Sequence, residues 1–323
     1  MKRSFALLLV AILSIAALFA QASSETSGSV VAGYPGTELR IQVPFKVGGA
    51  LDVQARTTAK YLAEELGVNV IVENTVGAGG QLGTTEYLKE KPNTNVILLT
   101  DAWLLTVTPL LNEVGYSIDD YVPIIDHNST LFCLYANPNK TGIKTFEDLV
   151  AYSKSHKVLF GSGGAGTSLF IIQKSLLDSF GADSGTITQG GTSEGLVNLI
   201  AGTVDISMSS FKDAADYVKN GDIVPILWFG ESSYSDENYT SVPCAREKGI
   251  DIIYKGFYYY SIRKGTDQGI VQKLHDAFAK VYSNPAFDAD RAVIGFNPTS
   301  MKGDEISSFL NSFAESAKTT FSL

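Results

Sequence analysis

The sequence predicts an α/β protein of two domains, each a doubly wound sheet with helices on both faces and the two facing each other across a cleft. Strand-like apolar runs alternate with helical patterns along the chain, which is typical of a mostly parallel sheet. A chain of 323 residues is long for one domain and sufficient for two. A glycine-rich turn joins a strand to a helix once in each half of the chain, at Gly48-Gly49 and at residues 161–168.

In the first half, the alternation of Leu39, Ile41 and Val43 predicts a strand. Apolar spacing up to Leu66, ended by Gly67, predicts the helix that follows the first glycine turn. The other elements predicted here are strands over residues 68–72 and 96–99, a helix over residues 81–89, and an extended segment from 124 to 135 that ends in a turn at 137–139.

In the second half, Thr145 with Asp148 three residues later predicts a capped helix start. A strand over residues 158–160 leads into the second glycine turn and a helix over residues 169–180. The remaining predictions are strands over 185–188, 204–208 and 223–227, an extended segment over 252–262, and helices over 196–201, 267–282 and 304–320.

The first 22 residues have the pattern of a cleavable secretory signal peptide. Lys2 and Arg3 precede an apolar run over residues 5–19, and Ala20-Gln21-Ala22 forms a small-residue cleavage site. The open alternative is a retained anchor, for which the run is short compared with a span of about 20 residues. We expect an exported, soluble protein with a flexible segment over residues 23–35 and, with no cysteine near the cleavage site, no lipid anchor.

Charge and composition narrow the class of ligand. The formal charge of −9 becomes −11 once Lys2 and Arg3 are removed, which disfavours nucleic-acid binding. The three histidines, His127, His156 and His275, show no metal-ligand spacing, so we expect neither a metal nor another cofactor. Cys133 and Cys244 leave two alternatives open, a disulfide or buried free thiols.

Both glycine turns are suited to bind an anion. A helix start leaves backbone N–H groups unpaired and carries about half a positive charge. Glycines let the backbone approach a ligand closely. In the second turn, the hydroxyls of Thr167 and Ser168 could add hydrogen bonds to a carboxylate. This turn is not a P-loop, because no lysine follows Gly166.

Several motifs together resemble one known family. The segment Val43 to Arg56 (Val-Pro-Phe-Lys-Val-Gly-Gly-Ala-Leu-Asp-Val-Gln-Ala-Arg), followed by Glu73-Asn74 and the Gly77-Ala78-Gly79-Gly80 run, is similar to the start of the Bug (TctC-like) receptors of tripartite tricarboxylate transporters. The serine–glycine segment at 162–168 matches a second family motif.

This resemblance implies a type II periplasmic binding protein fold with two crossovers, placed near residues 127–130 and 250–254. Domain one would comprise residues 36–128 and 254–323, and domain two residues 129–253. The resemblance further implies a periplasmic, monomeric receptor that binds an organic carboxylate without chemistry on it and delivers it to integral membrane permease subunits. A sensor protein as the partner stays open.

The candidate ligand site combines both turns with neighbouring side chains. Three roles are open: Lys46 could pair with a ligand carboxylate or be a solvated rim lysine, Asp52 could contact the ligand or complement the helix dipole, and Trp103 could line the cleft or lie in the core. The candidate ligand-binding residues are Phe45, Lys46, Gly48, Gly49, Asp52, Gly79, Gly80, Trp103, Ser162, Gly166, Thr167, Ser168 and Phe211.

An enzyme is the alternative from another class. Residues 191–195 match G-x-S-x-G around Ser193, and Asp205 and His275 follow in the order of an α/β-hydrolase triad. However, His275 falls in the middle of a predicted helix and no oxyanion-loop motif precedes the serine. We therefore expect a binding protein rather than an enzyme.

Overall fold

The computed structural model describes residues 31–321. The predicted signal peptide (1–22) and most of the segment over 23–35 lie outside these residues. Between 31 and 321, no helix is both long and apolar enough to cross a membrane.

Nine strands lie in the described part of the chain, and every predicted strand is among them, with ends displaced by a few residues. They are β1 (Glu38–Val43), β2 (Asn69–Asn74), β3 (Val96–Asp101), β4 (Tyr121–Ala136), β5 (Val158–Ser162), β6 (Ser184–Thr188), β7 (Ile206–Ser210), β8 (Val224–Trp228) and β9 (Lys255–Arg263).

Twelve α-helices surround these strands between residues 50 and 321, and residues 31–33 are also helical. They are α1 (Ala50–Leu66), α2 (Gln81–Tyr87), α3 (Ala102–Thr106), α4 (Thr108–Leu111), α5 (Pro138–Thr141), α6 (Phe146–Ser153), α7 (Ser168–Ser179), α8 (Thr192–Ala201), α9 (Phe211–Lys219), α10 (Gln268–Tyr282), α11 (Pro285–Ile294) and α12 (Gly303–Phe321).

The strands form one mixed sheet in the order β2-β1-β3-β9-β4-β7-β5-β6, with β8 paired to β4. The α/β class is confirmed, but the prediction of a mostly parallel sheet is wrong. Parallel pairing joins β1 to β2 and β3, and β5 to β6 and β7. Every pairing of β4 and β9 is antiparallel: β9 runs opposite to β3, and β4 runs opposite to β9 on one side and to β7 and β8 on the other.

The long strand β4 connects two lobes, which we define by their strands: the first lobe contains β1, β2, β3 and β9, and the second contains β5 to β8. Residues 121–131 of β4 pair with β9, whereas residues 132–136 pair with β7 and β8. The chain therefore changes partners next to the predicted first crossover at 127–130.

Each lobe has its own apolar core. Burying one large aliphatic or aromatic side chain contributes about 1.5–3 kcal/mol, so each cluster can stabilise its lobe. The first core includes Leu39, Ile41, Leu62, Leu274 and Phe278, and the second includes Leu134, Phe160, Leu176, Met208 and Leu227.

Both cysteines are buried free thiols in this structure. Cys133 Sγ donates a hydrogen bond to the Leu227 carbonyl oxygen at 3.2 Å. The sequence left open either a disulfide or two buried thiols, and the structure contains the two thiols. Across residues 31–321, no group of three or more His, Cys, Asp or Glu side chains is placed to hold a metal ion.

Candidate functional site

Three glycine turns meet between the lobes: the first over residues 45–49, the second over 161–167 and the third over 189–191. Each follows the carboxyl end of a parallel strand, where α/β sheets bind ligands. A Cβ placed on Gly79 of the first lobe would lie only 2.7 Å from Thr167 Cγ2 of the second. The Gly77–Gly80 run of the first lobe therefore touches the second turn, and Lys46 of the first turn lies against Gly190 of the third.

The helices that start at these turns lack the usual side-chain caps. The N-cap residues of α1, α7 and α8 are Gly49, Thr167 and Gly191, and none of them caps its helix with a side chain. By contrast, α6, α9, α10 and α11 begin with side-chain caps. A capping side chain would take the first-turn N–H groups, so these three helix starts keep donors for another acceptor.

The buried side chain of Asp52 holds the first turn in place through hydrogen bonds. Its side chain is 2% exposed and accepts hydrogen bonds from Gly48 N (2.9 Å), Asn74 Nδ2 (3.0 Å) and Arg56 Nε (3.0 Å). Burial alone would raise the pKa of this carboxyl, but the hydrogen bonds from Arg56, Gly48 and Asn74 lower it below the ordinary value. Both carboxylate oxygens are engaged within the protein, and they fix the glycine turn in place.

Lys46 reaches from the first turn to the third. Its Nζ lies 3.1 Å from Glu194 Oε2 on α8, and both side chains are nearly half exposed. The same oxygen of Glu194 accepts the Gly190 N–H at 2.8 Å. The Gly190 N–H, and secondly Lys46, hold the pKa of Glu194 below its ordinary value. The ammonium group of Lys46 thus joins the two lobes in this structure.

Side chains of the second turn hold its own backbone. Ser162 is fully buried, and its Oγ accepts the Gly164 N–H at 3.2 Å. Thr167 Oγ1 donates to the Gly164 carbonyl at 2.8 Å, and Ser168 Oγ accepts from Tyr254 OH at 2.8 Å. Thr167 therefore uses its hydroxyl proton within the turn, whereas Ser168 keeps its own proton to donate, beside the amides at the start of α7.

Two further candidates, Gly80 and Gly166, lie where the backbone is closely packed against other residues. Gly80 adopts φ +101°, and a Cβ there would lie 2.7 Å from Leu104 Cδ1 and 3.3 Å from Phe45 Cε1. The half-buried Phe45 ring therefore lies against the Gly77–Gly80 run. Gly166 packs beside Asn112 and Gln81 of the first lobe.

Trp103 and Phe211 lie in packed aromatic clusters. Trp103 is 2% exposed, with its ring edge-on to Tyr254 and Phe313 at centroid distances of 6.0 and 6.4 Å. Phe211 is 6% exposed and stacks on Tyr234 at 4.0 Å. Both side chains are therefore core residues in this structure.

The sequence interpretation missed the third turn as part of the site. Its signal was available, because Gly190-Gly191 follows strand β6 and precedes a helix in the same way that Gly48-Gly49 follows β1. Residues 191–195 were instead compared with a hydrolase motif. Glu194, which contacts both the third turn and Lys46, was not a candidate.

Asp101, at the carboxyl end of β3, was not among the candidate ligand-binding residues. It is 8% exposed, and its Oδ1 accepts the Trp103 N–H at 2.9 Å as the N-cap of α3. Burial raises the pKa of Asp101 to about 7, against the opposing effect of that hydrogen bond. At pH 7 this carboxyl is therefore about half protonated.

Asp101→Asn is expected to make the protein less sensitive to pH. Because the folded state holds the Asp101 proton more tightly than the unfolded state, wild-type stability falls as pH rises from about 4 towards 7. Asparagine keeps the capping oxygen and does not titrate. We expect its stability advantage over wild type to grow by about 2 kcal/mol between pH 5 and 7.5 in urea unfolding. Parallel pH profiles of the two proteins would contradict this assignment.

The three residues of the hydrolase alternative, Ser193, Asp205 and His275, have different surroundings and different partners. Ser193 is exposed on the first turn of α8. Asp205 accepts the Leu159 N–H at 2.8 Å and Tyr152 OH at 3.3 Å. His275 lies within α10, with Nδ1 3.3 Å from Asp276 Oδ1. This arrangement gives no support to a Ser-His-Asp triad.

Comparison of the sequence with those of known proteins identifies one family and several relatives. A family model described as the tripartite tricarboxylate transporter family receptor matches residues 54–320. A UPF0065 protein from the gbd 5′ region of Cupriavidus necator is 30% identical, over 93% of this chain and 89% of that protein. Protein BugT of Bordetella pertussis is 25% identical, over 86% of each chain.

Solved structures share the fold. MatC from Rhodopseudomonas palustris with bound malate superposes with a TM-score of 0.78 at 20% identity, covering 89% of this chain and 100% of that one. A second R. palustris protein with adipate gives a TM-score of 0.75 at 18% identity, covering 89% and 98%.

Proposed function

The chain belongs to the tripartite tricarboxylate transporter receptor family, and from this membership we propose that it captures a small organic carboxylate between its lobes in the periplasm and delivers it to membrane permease subunits. The family and its fold are those of solute-binding receptors rather than enzymes.

One observation carries the choice of a carboxylate: α1 and α7 start at facing turns with no side-chain cap. Hydrogen bonds from N–H groups to a charged acceptor contribute about 1.5–3 kcal/mol each. A protein with net charge −9 repels anions at long range, so such local donors would have to provide the affinity. The half-buried Phe45 ring would contact the apolar part of the ligand.

Capture would involve a hinge between the lobes, with domain limits at residues 36–128 plus 254–323 and 129–253 in a monomeric receptor. Two contacts between the lobes support this view. One is the Lys46–Glu194 ion pair, and the other joins Lys212 Nζ of α9 to the Ala292 carbonyl of α11 at 2.6 Å. Both contacts would break when the cleft opens.

The proposal is tested by a thermal-shift screen of mono-, di- and tricarboxylic acids, amino acids and sugars. A ligand that binds only the folded state raises the unfolding temperature. We expect stabilisation by one or more carboxylates and none by sugars. Stabilisation by sugars alone, with every carboxylate silent, would overturn it.

A further inference from the structure

We infer that Glu194 acts as a fixed internal anion beside the cleft and makes the site prefer ligands with one carboxylate over dicarboxylates. This inference rests on the proposed function, since it concerns which carboxylates the same cleft accepts. It is carried by the contacts of Glu194 with the third turn and with the opposite lobe.

The carboxylate of Glu194 occupies donors that a ligand could otherwise use. One oxygen, Oε2, accepts both the Gly190 N–H (2.8 Å) and Lys46 Nζ (3.1 Å). Lys46 belongs to the first turn, so its charge would otherwise face a ligand bound there. In this arrangement a side chain of the protein already neutralises that charge.

The path of Lys46 shows that the pairing is built into the third turn. A Cβ on Gly190 would lie 2.0 Å from Lys46 Nζ, 2.6 Å from its Cε and 2.8 Å from its Cδ. The lysine stem therefore crosses the face of Gly190 where any other residue would place a side chain. Glycine at this position lets the ammonium group reach Glu194.

Asp52 provides an instructive contrast in the first turn. It also accepts an N–H four residues earlier, from Gly48, but it is 2% exposed and balanced by Arg56 of its own helix. Glu194 is 47% exposed and is balanced from the other lobe. The charge of Asp52 is thus shielded beneath its turn, whereas that of Glu194 is placed at the cleft.

These positions favour a ligand with a single anionic end. Its carboxylate would bind the amides of α1 and α7, while the other end meets Phe45. The second carboxylate of a longer diacid would approach Glu194, with Lys46 already paired. Arg56, the other basic side chain beside the first turn, is held by Asp52 and Asn74. With its charge already neutralised by Glu194, Lys46 would give the second carboxylate no net attraction to offset its loss of hydration, which would weaken binding of the diacid about tenfold.

The test is calorimetric titration of matched acid pairs, from butyrate and succinate to octanoate and suberate, against wild type and Glu194→Gln. Glutamine can still accept the Gly190 N–H but carries no charge. We expect wild type to favour the monocarboxylate of the best-binding pair. In Glu194→Gln, the ratio of dicarboxylate to monocarboxylate affinity should rise about tenfold, since the lost contact between the lobes affects both acids alike.

Two further variants make the result specific. Glu147→Gln removes an exposed carboxylate that pairs with Lys248 at 2.6 Å, away from the glycine turns, and should leave both affinities unchanged. Adding Lys46→Met to Glu194→Gln should abolish the gain for the dicarboxylate, because the freed ammonium would be its partner. An unchanged ratio of affinities in Glu194→Gln would overturn the inference while leaving carboxylate binding intact. If no acid binds wild type or any variant, the proposed function fails as well.

Discussion

Asp52→Ala is expected to lower the free energy of unfolding by about 3 kcal/mol and to weaken carboxylate binding more than tenfold. The substitution leaves Arg56, Asn74 and the Gly48 N–H without their shared acceptor. Removing one partner of a buried ion pair costs about 3–5 kcal/mol, and half-exposed Arg56 places this case at the lower end. Binding should weaken because the Gly48-Gly49 turn, which positions the start of α1, loses its support. Urea unfolding and calorimetry measure the two effects.

The pH dependence identifies this carboxylate as the cause. A depressed pKa stabilises the folded state above the ordinary value of 3.8, and the stabilisation is lost as pH falls through the folded pKa. The difference in stability between wild type and Asp52→Ala should therefore shrink below pH 4. As a control, Glu65→Ala removes an exposed ion pair on the same helix and should cost less than about 1 kcal/mol. Equal losses in the two variants would contradict the role of Asp52 in the turn.

Gly79→Ala is expected to weaken ligand binding roughly 30-fold, corresponding to about 2 kcal/mol. The new Cβ would lie 2.7 Å from Thr167 Cγ2 across the cleft. Thr167 cannot easily turn away, because its Oγ1 is bonded to the Gly164 carbonyl. Separation of the lobes would relieve the contact, so the substitution should oppose closure of the lobes around the ligand. Calorimetric titration would measure the resulting loss of affinity.

Gly67→Ala provides a matched control for backbone strain. Gly67 has φ +66° and Gly79 has φ +65°, but a Cβ on Gly67 meets nothing within 4 Å. Both variants should lose about 1–2 kcal/mol of stability from the left-handed backbone. Only Gly79→Ala should lose affinity, and a similar loss in Gly67→Ala would show that closure is not involved.

Local patterns were sufficient to predict most of the fold. Alternating apolar residues predicted the strands. Gly67 predicted the end of α1, and in the structure this glycine adopts the left-handed conformation that ends the helix. Helix α11 is not among the predicted helices, although Asn284 caps it and Pro285 stands at its first position. The antiparallel course of β4 and β9 could not be predicted, since strand direction within a sheet depends on tertiary pairing.

The site was less accessible to sequence reasoning, for a related reason. Glycine turns before helices are local signals and were found at Gly48-Gly49 and residues 161–168. The contact of Lys46 with Glu194 joins positions 148 residues apart, and only folding brings them together. The hydroxyls of Thr167 and Ser168 were predicted to bind a carboxylate, and their hydrogen bonds within the protein, with the Gly164 carbonyl and Tyr254 OH, could not be foreseen from the sequence.

The most direct measurement compares, by calorimetry, the best carboxylate from the screen with its primary amide. The amide preserves size and shape but removes the negative charge that the open N–H groups of α1 and α7 would bind. We expect the amide to bind at least 100-fold more weakly, a difference of about 2.7 kcal/mol. Equal affinity for the acid and the amide would contradict the claim that these helix starts recognise a carboxylate.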